Sequence, residues 1–258
     1  MSIRHAAVAG LFYEGRPERL EASIRGYLED ADSPRGAPPR ALIVPHAGYI
    51  YSGPTAGFAY RLFESARFSR IVMLGPSHYV PFTGLTLPGA EGMQTPLGVV
   101  AIDIDAADRL LENSLVSESP EAHRREHSLE VQLPFLQVVA PSVPIVPLLT
   151  GSIDPLAAVD VIEPLLGDDA LLLVSSDLSH YHDAATARDL DAVTAAAIAR
   201  LDTDSLGRES ACGRTGIQIA LEIGKRRGYQ VTTLDLRNSA DTAGDKRRVV
   251  GYGAFALG

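Results

Sequence analysis

Residues 41–53 read ALIVPHAGYIYSG, four apolar residues suited to a strand buried on both faces, followed by a proline, a histidine and a glycine. This is the pattern of a strand leaving a sheet, and in open α/β sheets ligands bind beyond the strand C-termini. A single histidine in that position is ordinarily a turn residue pointing at water. Two further stretches repeat the arrangement: RIVMLGPSHYV at 70–80 places His78 just beyond an apolar run, and LLLVSSDLSHYH at 171–182 places Asp177, His180 and His182 beyond another. Three strands that deliver histidines in the same way predict one sheet edge carrying one polar site.

Working outward, segments rich in Val, Ile and Leu at 41–45, 70–75, 143–149, 170–176, 230–236 and 248–256 predict strands, most of them continuous apolar runs. Helical patterns lie between them. Pro17–Leu28 has a proline suited to a first helical position, Thr55–Phe63 follows a Gly-Pro start, and Asp183–Leu201 is Ala-rich behind a capping aspartate. Further helices are expected near 105–115, 128–139, 155–166 and 214–227, and a hairpin-like stretch at 85–103 adds antiparallel strands. The βαβ alternation predicts an α/β fold with a central, mostly parallel or mixed sheet flanked by helices. The strongest loop signal, DADSPRGAPPR at 30–40, begins too near the N-terminus to close off a separate unit, so residues 1–258 are expected to form a single domain.

Composition narrows the function classes. With 258 residues, 46% hydrophobic and 21% charged, the chain has the material for a full core. Its longest apolar runs, such as Ala170–Val174, fall far short of the roughly 20 residues that cross a bilayer. The N-terminal MSIRHAAVAGLFYEG has too short an apolar stretch for a secretory signal, and the expected location is cytoplasmic. Lys+Arg 23 against Asp+Glu 32 gives a net charge of −9, and no basic cluster exceeds DKRR at 245–248, which argues against nucleic acid. The expected ligand is a small molecule or a peptide, with neither nucleic acid nor a membrane as partner.

The single cysteine, Cys212, cannot form an internal disulfide. It lies in SACGRTGIQIALEIGKR, at the start of a predicted helix, where unpaired N–H groups and the helix dipole favour a thiolate. Neutral imidazoles with a thiolate suit Fe(II), Zn(II) or copper, so a shared metal site is expected at the sheet edge. Other polar candidates separate by context. In HRREHSLEVQLPFLQ, His127 and Glu130 are three apart at a helix start and share a face; they either orient a ligand from behind or form a simple helix-start pair. His123, in a charged run, is expected to be solvated, and His5 to be structural, with GLFYEG downstream of it offering side chains to a pocket. His182 competes with His180 for one role. Tyr49 and Tyr51 either line the pocket or cover the core.

PHAGYIYSG, LGPSHY, EHSLEVQLPFL, SSDLSHY, ACGRTGI and the closing VVGYGAFA, in this order along nearly the whole chain, together resemble the Memo family, also labelled AmmeMemoRadiSam system protein B. That family is similar to the class III extradiol dioxygenases, non-haem Fe(II) enzymes that open catechol rings with O₂, and the resemblance implies their α/β fold. It further implies that His46 and His78 bind metal, that His180 stands at the acid/base position with Asp177 as its close neighbour, and that Cys212 takes the place of the dioxygenases' carboxylate ligand. A thiolate is softer and more electron-donating than a carboxylate, which puts catechol cleavage itself in doubt and admits copper beside iron.

The expectation is therefore an iron-dependent, dioxygenase-like redox enzyme with His180 moving protons and Asp177 setting its orientation. A metallohydrolase would use the same ligands with Zn(II) and no O₂. A peptide- or metal-binding module would bind without turnover. Class III dioxygenases are commonly multi-chain, and by that analogy a homo-oligomer stays open.

Overall fold

In the computed structural model, which describes residues 2–32, 38–65, 67–207 and 209–258, the three histidine-bearing apolar runs are adjacent strands. The strands are β1 (Ile3–Arg4), β2 (Ala41–Val44), β3 (Arg70–Pro76), β4 (Leu85–Leu87), β5 (Gly92–Thr95), β6 (Gly98–Ala101), β7 (Val116–Glu118), β8 (Ile145–Thr150), β9 (Ala170–Ser175), β10 (His180–His182), β11 (Val231–Asn238) and β12 (Val249–Leu257). The helices are α1 (Pro17–Glu29), α2 (Tyr49–Tyr60), α3 (Ile104–Leu111), α4 (Pro120–Arg124), α5 (Leu133–Val139), α6 (Pro155–Ile162), α7 (Ala184–Ala199) and α8 (Arg214–Arg227).

Among the described residues the main sheet has nine strands in the order β10-β12-β2-β9-β3-β8-β4-β7, with β11 also paired to β12. Its centre is parallel: Ile43 and Leu74 flank Val174, and Leu74 lies opposite Leu148. Every residue of β2, β8 and β9 is buried, so side chains of both alternations are covered and the centre is packed on both faces. That explains why these strands read as unbroken apolar runs and not as alternating ones. Helix α8 packs on β9 and β3, while α2 packs on β2 and β12. β11 and β12 close one side as antiparallel strands, which makes the sheet mixed.

Two local expectations change, and the antiparallel strands expected at 85–103 form in two places. The helix expected at Thr55–Phe63 begins at Tyr49 and runs through Pro54. A proline inside a helix costs roughly 3 kcal/mol. Here packing outweighs that cost: Ser52, Thr55, Ala56, Ala59 and Tyr60 are buried. Gly57 lets the helix lie against α1, since a Cβ there would stand 2.3 Å from the Tyr27 carbonyl oxygen. The helix expected at 128–139 begins instead as a 3-10 turn, Glu130–Gln132, before α5, and this removes the helical face that His127 and Glu130 were to share. The 85–103 stretch divides: β5 and β6 form an antiparallel hairpin in a separate three-stranded sheet with β1, and β4 joins the main sheet antiparallel to β8. Residues 33–37 of the predicted loop lie outside the described residues.

The consequence for function is positional. β2, β9 and β3 run in the same direction, so His46, Asp177 and His78, each two residues past its strand, emerge at the same edge of the sheet.

Candidate functional site

His46, His78 and Cys212 each offer a ligand atom, and the three atoms lie within 4.8 Å of one another. His46 is buried, 1% exposed. Its Nδ1 is 2.9 Å from Ser175 Oγ, which gives its own proton to the Ser128 carbonyl at 2.5 Å and accepts from Gln132 Nε2 at 2.8 Å. Toward His46, Ser175 can only accept. Nδ1 therefore carries the ring proton and Nε2 presents a lone pair, 3.3 Å from Cys212 Sγ.

The same logic fixes His78, through a residue the sequence reading passed over. Glu126 Oε1 accepts from His78 Nδ1 at 2.9 Å, His127 N at 2.8 Å and Ser128 N at 2.9 Å, and Oε2 accepts from His78 N at 2.6 Å. The carboxylate assigns the proton to Nδ1 and leaves Nε2 of His78 as the ligand atom. Burial alone would lower the His78 pKa, but the Glu126 hydrogen bond and charge, with the charge of Asp177, raise it. Burial works against the Glu126 carboxylate too, yet its bonds from His78 and Ser128 hold it down at about 2. A signal was present, since Glu126 directly precedes His127, but helical spacing pointed to Glu130 instead.

Cys212 stands just before Gly213, the N-cap of α8. A Cβ on residue 213 would lie 2.6 Å from Ser176 Cβ and 2.7 Å from the Ser175 carbonyl oxygen, so only glycine lets the helix start close on the end of β9. The thiol accepts from Asp177 N at 3.3 Å, while Cys212 N donates to the Asp177 carbonyl at 3.2 Å. The expected thiolate is not favoured in the metal-free protein: burial, then the negative charge of Asp177, pushes the thiol up to about 12. Desolvation outweighs the helix dipole. Burial, reinforced by His78, lowers His46 to about 3, so the facing pair is a neutral thiol and a neutral imidazole.

A cavity of about 650 Å³ opens onto this cluster and is lined by Phe12, Tyr51, His127, His180, Tyr181 and Tyr252 among others. That volume suits a small organic ligand. The Nδ1 of His180 donates to the Leu178 carbonyl at 2.8 Å, which leaves Nε2 as its basic nitrogen. The His127 ring stacks on His78 at 4.7 Å and meets Phe12 at a tilt, 4.5 Å between centroids; its buried Nδ1 makes no hydrogen bond among the described residues, although it lies 3.4 Å from Glu126 Oε1. Burial, with the nearby His46, lowers its pKa to about 4.

Several expected roles change. Among the described residues the Asp177 carboxylate makes no hydrogen bond to His180: its Oδ1 accepts from His46 N at 2.7 Å, and burial raises its pKa. Glu130 faces away from His127 and anchors the N-terminal segment, accepting from Arg4, Ala7 N, Val8 N and Tyr13 Oη. That anchoring brings Phe12, from GLFYEG, to the cavity. Tyr49 is buried and donates to the Val131 carbonyl at 2.7 Å, packing beside the core, whereas Tyr51 lines the cavity. His182 is not among the residues lining it. His123 is buried against β4, with Nε2 2.8 Å from the Thr86 carbonyl, and burial lowers its pKa to about 4. The charged neighbours in its run gave no sign of this. His5 is exposed and bonded to Gln94 Oε1 at 2.6 Å.

Comparison with known proteins gives a consistent result. Residues 4–256 match the family described as Memo-like protein. The chain is 37% identical over 271 residues to a MEMO1 family protein of Aquifex aeolicus, covering 98% of each chain. It is 36% identical to one of Archaeoglobus fulgidus with 99% of each covered, and 37% identical to one of Methanosarcina acetivorans over the full length of both. A crystal structure of an uncharacterized protein from Escherichia coli K12 shares the fold, with a TM-score of 0.57 at 15% identity, covering 84% of this chain and 99% of that one. Among the described residues no helix is long and apolar enough to cross a membrane.

Proposed function

The chain belongs to the Memo family, and from that premise and the geometry of its sheet edge we propose a mononuclear non-haem metal centre, with Fe(II) as the first metal to consider, serving a redox reaction on a small organic substrate. The observation that carries this reading is the convergence of two imidazole nitrogens, each left with a lone pair by a committed hydrogen bond on the opposite ring nitrogen, on one cysteine sulfur. Hydrogen-bonded partners of this kind are what set the tautomer of metal-ligating histidines. Copper and Zn(II) satisfy the same donors.

Fe(II) bound by three protein donors would supply a Lewis-acidic, redox-active centre with positions open to substrate and O₂. The protein's own residues do the rest. Cys212 would lose its proton to solvent on ligation, and its thiolate would make the donor set softer than two histidines with a carboxylate, so catechol ring opening is not carried over. Glu126 and Ser175 hold the two imidazoles in one orientation. His180 Nε2, with Nδ1 committed to the Leu178 carbonyl, is placed in the cavity to take a proton from a bound substrate and return it. Phe12 and Tyr252 give the cavity beside these donors apolar walls.

Anaerobic titration with Fe(II) and with Zn(II), followed by O₂-uptake measurements with candidate substrates, tests the proposal. Uptake of about one equivalent of iron and substrate-dependent O₂ consumption are expected. Turnover with Zn(II) and without O₂ would identify a hydrolase instead, and binding with no product a binding module.

A further inference from the structure

One wall of the cavity is made by a strained residue, Tyr181, that the chemistry above does not use. Tyr181 has φ +66°, a left-handed conformation rare for a bulky side chain and worth roughly 1–3 kcal/mol of strain. It sits at a break in register within β10, between His180 opposite Val250 and His182 opposite Val249. In a regular strand neighbouring side chains point to opposite faces. Here the break turns both His180 and Tyr181 toward the cavity. Across the ladder, Arg248, the residue before Val249, lays its guanidinium over the Tyr181 ring at 4.8 Å from the centroid and lines the same cavity.

Arg248 brings a charge that the neighbouring acids do not neutralise. Asp245, in the same wall, is taken by Arg247, at 2.8 Å and 3.1 Å to Oδ2. Asp177 accepts from the His46 backbone. Among the described residues Arg248 makes no ion pair, and stacking on Tyr181 limits the freedom of its planar fork. We propose that Arg248, steadied by Tyr181, anchors a carboxylate on the small molecule whose other end reaches the His46, His78 and Cys212 donors. The substrate class is then an organic monocarboxylate with a planar apolar body, which Phe12, Tyr51 and Tyr252 are shaped to cover. A single guanidinium beside Asp177 and Asp245, in a chain of net charge −9, matches a monoanion; a phosphate dianion would call for a second cation. This rests on the cavity being the substrate site of the proposed centre.

The test uses naphthalene-2-carboxylate, its neutral carboxamide and 2-naphthyl phosphate as probes, with binding measured on the full chain both metal-free and Zn(II)-loaded. The carboxylate is expected to bind about tenfold or more tighter than the amide in both preparations. In Arg248→Met, which keeps an apolar stem on Tyr181, that preference falls to within about twofold, and Arg248→Lys retains part of it. Equal binding of acid and amide, an undiminished preference in Arg248→Met, tighter binding of the phosphate, or no binding of any probe below millimolar overturns the assignment. A preference seen only with metal would place the carboxylate on the metal and also overturn it. If instead metal fails to bind while the preference holds in metal-free protein, the metal-centre proposal falls and the Arg248 anchor stands.

Discussion

Replacing Glu126 by Gln changes one atom and isolates the support given to His78. The carboxylate accepts four hydrogen bonds, three on Oε1 and one on Oε2. An amide has only one oxygen, which settles at the three-donor position and turns its NH₂ toward His78 N–H. The partly buried His78 N–H is then left without its acceptor, at about 1 kcal/mol, and three charge-assisted bonds become neutral ones, so the metal-free protein should lose about 1–3 kcal/mol at neutral pH. The His78 ring, no longer held by a full charge, becomes a poorer and looser ligand, and metal affinity should fall by about 10- to 100-fold. The pH dependence carries a sign. Glu126 is held at about 2, below its ordinary 4.5, so its contribution is present above pH 4.5 and is lost as pH falls from there toward about 2. The gap between wild type and variant should therefore be widest above pH 4.5 and narrow below it. Urea unfolding of both proteins at pH 7 and pH 3, with anaerobic metal titration, measures all three effects. A variant within about 0.5 kcal/mol of wild type at pH 7, with unchanged metal affinity, would refute the role given to Glu126.

Four further outcomes are expected. His46→Ala and His78→Ala should each weaken metal binding by about tenfold or more, measured by competition with a chelator; unchanged affinity in both would sink the ligand assignment. Cys212 should show thiolate-to-metal charge transfer with Co(II) and slower alkylation when metal is bound, and equal alkylation rates with and without metal would mean a free thiol. His180→Ala should keep metal within about threefold while losing about 10²-fold of turnover, with His182→Ala as control because that ring does not line the cavity; an emptied site would make His180 a ligand. His123, lowered from 6.5 to about 4 by burial, stays neutral in the folded protein while the unfolded chain takes up a proton, so stability should drop by up to about 3 kcal/mol as pH falls from 6.5 to 4. His123→Gln keeps a donor for the Thr86 carbonyl and should flatten that drop in urea midpoints taken across the window; parallel curves for the two proteins would show that His123 is not its source.

Sequence by itself determined the sheet centre and the place of the site. Apolar runs long enough for one strand, each stopped by Gly, Pro or Ser and followed by a histidine, have few folded solutions besides adjacent parallel strands whose C-terminal ends share an edge. Burial of both faces writes that into local composition, and His46, His78 and Asp177 then follow by counting two residues past a strand. Whatever depended on distant partners was decided by the tertiary structure. Glu130 faces Arg4, 126 positions away, and Glu126 turns to His78 because residues 126–129 do not form the helical face that spacing suggested. His123 is buried because α4 lies against β4, whatever the charges beside it in the chain. Helix α2 runs through Pro54 because Gly57 lets it close on Tyr27. The protonation of Cys212 belongs to the same class: a helix start favours a thiolate locally, but desolvation is set by every element packed around the sulfur, and it is the larger effect. Periodicity fixes which face of an element is apolar; it carries no information about which distant group that face will meet, or how dry the meeting place will be.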